Sequence, residues 1–214
     1  MSYLTRGLYQ QLRFSDEDRY SEDDDPTLAY QPWGFSIYRT AYGPESEGAW
    51  QTLINTIGQQ AREDLRLFGE TKADEERAAR LSSCFHLDLG SDEDALRGAD
   101  MHRVRRLHRE VAAESGVWSE ENFASRQYFL LADEEVLADV ATGDFWVKCV
   151  QADYEADRYA SRCARTPQRY FGWMKTTART LSELWGTLEE GLDRIAPPTI
   201  GGMHLVTWEG DPYR

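Results

Sequence analysis

Cysteine is scarce in this chain, with Cys84, Cys149 and Cys163 the only three in 214 residues. So few thiols, odd in number and far apart, build no disulfide framework, which suits a reducing compartment. Long apolar runs are missing as well. No stretch approaches the ~20 apolar residues of a membrane span, and the first twenty residues hold no uninterrupted hydrophobic segment of a secretory leader. The expectation is a cytoplasmic protein with no membrane partner. Positive charge is the third shortage: 24 Lys and Arg stand against 38 Asp and Glu, a formal net charge of −14. That field repels polyanions at long range unless a basic face is locally concentrated, and it makes cationic or neutral small ligands the easier partners.

The sequence also lacks the spacings that announce a reaction. His86, His102, His108 and His204 form no His-Glu-x-x-His pair and meet no Cys-x-x-Cys, so no metal site is expected. The glycines assemble neither a P-loop nor a Gly-x-Gly-x-x-Gly turn, and no cofactor is expected. No Gly-x-Ser-x-Gly elbow occurs. Ser36, Cys84 and Cys149 lie inside apolar strand-like runs, where a side chain is ordinarily inert packing.

What is present is a core: 41% of residues are hydrophobic and 12% aromatic, enough for one sizeable globular unit. Asp16, Glu17, Asp18, Glu22, Asp23, Asp24 and Asp25 crowd the first thirty residues, so residues 1–28 read as a solvated, flexible acidic arm and residues 29–214 as a single domain. The stretch from Gly34 alternates with period two and stops at Gly43 and Pro44. Trp50, Leu53, Ile54, Ile57, Ala61, Leu65 and Phe68 then repeat at helical spacing, with Ser46 as the expected cap and Gly69 as the exit. Lys72 to Arg80 reads as a charged loop and "SCFHLDLG" as a strand. In the basic helix that follows, Met101, Val104, Leu107 and Val111 are the expected buried stripe. "RQYFLLAD" is a strand leading into a short helix capped by Asp133 and ended by Gly143. "FWVKCVQADYE" and "FGWMKT" are consecutive strands with no helix between them. The stretch from Thr180 reads as one continuous helix, with Thr180 and Glu183 as a capping box and Leu181, Leu184, Trp185, Leu188, Leu192 and Ile195 along one side. Two adjacent strands without a crossover helix favour an α+β layer sandwich, a mixed sheet packed against helices, over a fully parallel doubly wound fold.

Arg39 is the first candidate site residue, because a guanidinium inside an aromatic strand must be paired. It could hold a substrate carboxylate or phosphate beside the hydroxyl of Tyr38 or Tyr42, or close an internal salt bridge to Asp88 or Asp153. His86, Asp88, Asp153 and Glu155 end two expected strands. If those ends lie side by side, they supply acid/base groups and a receptor for a cationic substrate; otherwise they are ordinary exposed polar alternation. Trp173 and Lys175 could wall a flat or cationic ligand, or simply belong to the core. Arg103, Arg105, Arg106 and Arg109 could track a phosphate backbone such as tRNA, or form a solvated face paired with acids of the same helix.

The segments "PWGFSIYRTAYG", "HRVRRLHREV", "RQYFLLADEEVL", "VKCVQADYE" and "GWM" also resemble a large, mostly uncharacterised protein family of filamentous ascomycete fungi. The resemblance spans residues 32 to about 185, and its most specific piece is Gly-x-x-Ile-Tyr-Arg-x-x-Tyr. The family pattern includes Arg39 and Trp173, and this chain departs from it at Leu107, where an aromatic is usual. A relationship to the fungal arginine-containing cyclodipeptide synthases of secondary metabolism is suspected. That relationship implies a cytoplasmic transferase that condenses aminoacyl groups from aminoacyl-tRNA, with no catalytic residue to carry over. In that reading Asp88, Asp153 and Glu155 receive an arginyl guanidinium and the basic helix receives tRNA. The alternatives are a non-enzymatic interaction module, or a tRNA-independent isomerase or cyclase that draws its acid and base from His86, Asp88 and Tyr42.

Overall fold

The computed structural model describes residue 12 and residues 30–67, 72–114, 122–160, 168–200 and 202–210. Apart from Leu12, the acidic arm expected over residues 1–28 lies outside them, as do Phe68 and Gly69. The fold is α+β, with a five-stranded mixed sheet in the order β2-β1-β3-β4-β5 and helices against it. Its strands are β1 (Trp33–Arg39), β2 (Phe85–Gly90), β3 (Tyr128–Ala132), β4 (Trp146–Gln151) and β5 (Trp173–Thr177). β1 pairs parallel with β2 on one side and with β3 on the other, whereas β3–β4 and β4–β5 are antiparallel. A single four-residue turn of helix, α7 (Ala156–Tyr159), separates β4 from β5 among the described residues. No helix among them is long and apolar enough to cross a membrane.

Both faces of β1 are buried, because side chains alternate across a strand and helices cover each side. On one face Phe35, Ile37, Leu130, Cys149 and Met174 join the main core with Trp50, Leu53, Ile57, Ala61 and Leu65 of α1 (Pro44–Leu67). The same core takes Val136, Leu137 and Val140 from α6 (Glu134–Thr142) and Leu181, Leu184 and Trp185 from α8 (Leu181–Thr187). On the other face Tyr38, Phe129, Leu131 and Val150 pack with Leu96 and Val104. Leu96 ends α3 (Glu93–Leu96), and Val104 belongs to α4 (Met101–Glu114). The chain therefore leaves β1 over one face and β2 over the other.

Close packing of backbones fixes two glycines. A Cβ on Gly34, whose φ is +134°, would sit 2.0 Å from the His86 carbonyl oxygen on β2. A Cβ on Gly90 would sit 2.4 Å from the Tyr38 ring. The β1–β2 pair can close only with nothing at those two positions.

Several local expectations are corrected. Lys72 to Arg80 is helical, inside α2 (Lys72–Ser83). α1 begins two residues before Ser46, at Pro44, whose fixed φ and missing N–H suit a first helical position. The buried face of α4 is Val104, Arg105 and His108, while Val111 is 39% exposed. The last helical stretch is not continuous: 3-10 turns flank α8 on both sides, and Gly191, at φ +96°, separates the second of them from α9 (Leu192–Ile195). Thr180 does not cap α8 with its side chain; its hydroxyl bonds instead to Thr177. The apolar spacing was sound even so, since Leu181, Leu184, Trp185, Leu188 and Leu192 are all buried.

Candidate functional site

The C-terminal ends of the three parallel strands open onto one cleft of about 760 Å³. Thr40 to Ser46, following β1, form one wall, and Arg97 to Ala99, following β2, form a second. Asp133, Glu134, Leu137, Ala138 and Ala141, following β3, form the third. Because the chain leaves β1 and β2 toward opposite faces, their ends cannot be bridged by a single helix. Such a crevice is the usual ligand position in sheets with parallel strands.

Arg39, the last residue of β1, stands behind the first wall rather than lining the cleft, and is 4% exposed. Its Nη1 pairs with Glu47 at 2.5 Å, Nη2 donates to Ser46 Oγ at 3.0 Å, and Nε donates to the Ala41 carbonyl at 2.8 Å. Its guanidinium carbon also lies 4.7 Å from the Tyr42 ring centroid and 5.9 Å from that of Trp50. The partner acid is therefore Glu47, eight residues on in the first turns of α1, and not Asp88 or Asp153. The guanidinium lowers the Glu47 carboxyl below its ordinary range, chiefly through that hydrogen bond. Arg39 thus clasps residues 41–47 into the shape that makes the cleft wall. Three of its five N–H groups are taken up by residues 41–47, so its role in this structure is to position the wall.

Tyr42 lines the cleft, and its hydroxyl donates to the Arg39 carbonyl at 3.0 Å. Partial burial raises its pKa. Arg97 reaches from the opposite wall, donating to the Tyr42 carbonyl at 3.2 Å and pairing with Glu93. Asp133 caps α6 through the Val136 N–H at 3.3 Å and pairs with Lys148 at 2.5 Å. Glu45 and Glu134 line the same space, and neither enters an ion pair among the described residues. Two unpaired carboxylates thus face one arginine already committed to Glu93, which makes the cleft acidic.

The remaining expected site residues do not gather there. Tyr38 points into the second core cluster, where burial raises its pKa. His86 and Asp88 sit on the edge strand β2, and Asp88 accepts from Ser36 Oγ at 3.0 Å. Asp153 follows β4, which runs antiparallel to β3, so it lies at the opposite end of the sheet. There it accepts from Gln127 and Gln151, both at 2.9 Å. Glu155 stays local, pairing with Arg158 at 2.7 Å. The strand-end acids therefore do not converge on Arg39, because β4 delivers its C-terminus to the wrong edge.

Lys175 pairs with Glu135 at 2.6 Å, and Trp173 lies against the His204 ring. The basic helix divides. Arg103, Arg106 and Arg109 are exposed, but Arg105 is 6% exposed and serves structure. Its Nε donates to the Gln151 carbonyl and its Nη2 to the Gly172 carbonyl, both at 2.9 Å, with the guanidinium over the Tyr154 ring. It is not available to phosphate. No group of three or more His, Cys, Asp or Glu suited to a metal ion occurs among the described residues.

Reading single residues missed Glu45, Arg97, Asp133 and Glu134 as cleft walls. Their one shared signal is position, each following a strand of the parallel set. No family model matches the chain, and no curated protein and no solved structure is similar to it.

Proposed function

We propose that the protein is an enzyme whose cleft takes a small cation-bearing substrate of the arginyl or amine class, the substrate of the aminoacyl condensation that the sequence resemblance implies. The observation carrying this reading is the pair of unengaged carboxylates, Glu45 and Glu134, in a cleft at the C-terminal ends of parallel strands. A guanidinium or ammonium placed between them gains charge-assisted hydrogen bonds that a neutral isostere forfeits. The net charge of −14 draws such a ligand in at long range. In a condensation the attacking α-amine must first lose a proton, and in this reading Glu45 or Glu134 receives it. Arg97, at the far wall, would face the carbonyl end of the substrate. In this reading Asp88, Asp153 and Glu155 give up the receptor role, and Arg103, Arg106 and Arg109 remain as the tRNA contacts.

Calorimetry with agmatine and arginine methyl ester, against net-neutral citrulline, whose side chain is an uncharged urea, as control, tests the cleft. Saturable binding of the cations, weakened at least tenfold by Glu45→Gln with Glu134→Gln, supports the reading, and equal binding of citrulline overturns it. Incubation with arginine, a second amino acid, tRNA and the synthetases tests the reaction. A dipeptide product that ribonuclease abolishes supports the tRNA route, and product that survives ribonuclease supports a tRNA-independent enzyme. No product, with ligand binding intact, removes condensation and leaves the cleft.

The interaction-module reading has one observation of its own. Ile200, Met203, Leu205 and Val206 are largely exposed at the C-terminal end of the described chain, and clustered apolar exposure of this kind marks contact surfaces.

A further inference from the structure

Residues 202–210 run as a strap beside the edge strand β5. One end is anchored: Trp208 is buried in the main core, its N–H donates to the Lys175 carbonyl at 2.8 Å, and its carbonyl accepts from the Thr177 N–H at 3.1 Å. The other end is held by a reciprocal backbone pair, Met203 N–H to the Ile200 carbonyl at 3.0 Å and Ile200 N–H to the Met203 carbonyl at 3.2 Å, and by one side chain. Met203, Leu205 and Val206 stand in solvent, and only His204 turns inward, its ring 3.6 Å from the Trp173 ring between centroids and tilted 31° from it. Nε2 of His204 is buried and has no hydrogen-bond partner.

The charged groups around that imidazole come from three directions. β5 supplies Lys175, β4 supplies Lys148, and α6 with its cap supplies Glu135 and Asp133. Both carboxylates are already engaged: Lys148 pairs with Asp133 at 2.5 Å and with Glu135 at 2.9 Å, and Lys175 pairs with Glu135 at 2.6 Å. The aromatic faces are shared too, with Lys175 4.0 Å above Trp146 and Lys148 5.0 Å from Trp173. On the strap itself, Glu209 pairs outward with Arg179. An imidazolium at this place would find no free acceptor and two ammonium groups.

We propose that residues 202–207 form a pH-gated latch, docked on Trp173 while His204 is neutral and lifted when His204 takes a proton, which uncovers the indole and the Lys148–Lys175 ridge. Burial, then Lys175 and Lys148, hold His204 down at about 4 against an ordinary 6.5. The docked state therefore loses ground as pH falls through 6.5 toward 4, the range in which only the lifted strap binds the proton. This inference is independent of what occupies the cleft.

Hydrogen exchange of the full chain between pH 7.5 and 4.5, corrected for intrinsic rates, reads the latch directly. Protection of the Met203 amide, which donates to the Ile200 carbonyl in the docked strap, falls by up to roughly a hundredfold, while amides of β3 keep theirs. His204→Phe, which retains the stack and cannot titrate, holds the strap protected across the range. An NMR titration of the wild-type His204 imidazole finds its midpoint well below 6.5, and this reading stands even if the variant does not fold. Equal loss of protection in His204→Phe, constant protection in the wild type, or simultaneous loss in β3 would each overturn the latch.

Discussion

The Tyr38 hydroxyl and the His108 imidazole meet inside the second core cluster, 3.1 Å apart at Nδ1. Nε2 of the same ring lies 2.9 Å from the Arg126 carbonyl, which can only accept, so Nε2 carries the proton and Nδ1 accepts from Tyr38. The imidazole is therefore held neutral with both nitrogens satisfied. Burial pushes it down to about 4, against the weaker raising effects of the Arg126 carbonyl and Asp88.

The first prediction follows from that neutral ring. Because the unfolded chain binds a proton near 6.5 and the folded site near 4, His108 contributes stability that is full above pH 6.5 and is lost as pH falls toward 4. The loss is on the order of 3 kcal/mol across the window. Urea unfolding at a series of pH values measures it, and His108→Gln flattens the slope. Tyr38→Phe leaves Nδ1 without its donor and costs about 1–2 kcal/mol at neutral pH.

Arg39 carries the second. Arg39→Lys keeps the charge but cannot reach Glu47, Ser46 and the Ala41 carbonyl together, so residues 41–47 loosen. Agmatine binding to the cleft weakens about tenfold or more, and stability falls by about 2–3 kcal/mol. Glu47→Gln, at an exposed position, costs far less, because water screens that partner. Calorimetry and chemical denaturation separate the two effects.

The third separates the arginines of α4. Arg105→Ala removes the side-chain donor to the Gln151 carbonyl and one of two donors to the Gly172 carbonyl, which keeps the Gln151 N–H, and strips packing from Tyr154; it destabilises by about 3 kcal/mol. Arg103→Ala, Arg106→Ala and Arg109→Ala each change stability by less than ~0.5 kcal/mol. If tRNA binds this face, each of the three exposed substitutions reduces the salt dependence of log K by about 1. Salt-titrated tRNA binding checks it.

Gly34 supplies the fourth. Gly34→Ala meets the His86 carbonyl oxygen at 2.0 Å and combines that clash with a strained φ, so it costs about 3 kcal/mol or more and unpairs the β1–β2 edge first. Hydrogen exchange at Phe85–Gly90 detects the loss before global unfolding does.

Local pattern carried most of the architecture. Period-two alternation located β1 and β2, a short apolar run located β3, helical spacing located the buried face of α1, and Asp133 with Gly143 marked both ends of α6 correctly. These features are written in neighbouring residues. The site was less legible because it depends on strand direction. Nothing in "VKCVQADYE" says that β4 runs antiparallel to β3, and that reversal alone carries Asp153 away from Arg39. The α4 face was misread for a different reason: Arg105 and His108 are polar residues used as core, each satisfied by partners far along the chain. An apolar count ranks Val111 above them, although only a three-dimensional set of carbonyls and a tyrosine hydroxyl explains their burial.

Arg105 has one more effect, on how the molecule can move. By bonding the carbonyls of Gln151 and Gly172 together, it welds α4 to the junction between β4 and β5, so these travel as one rigid body.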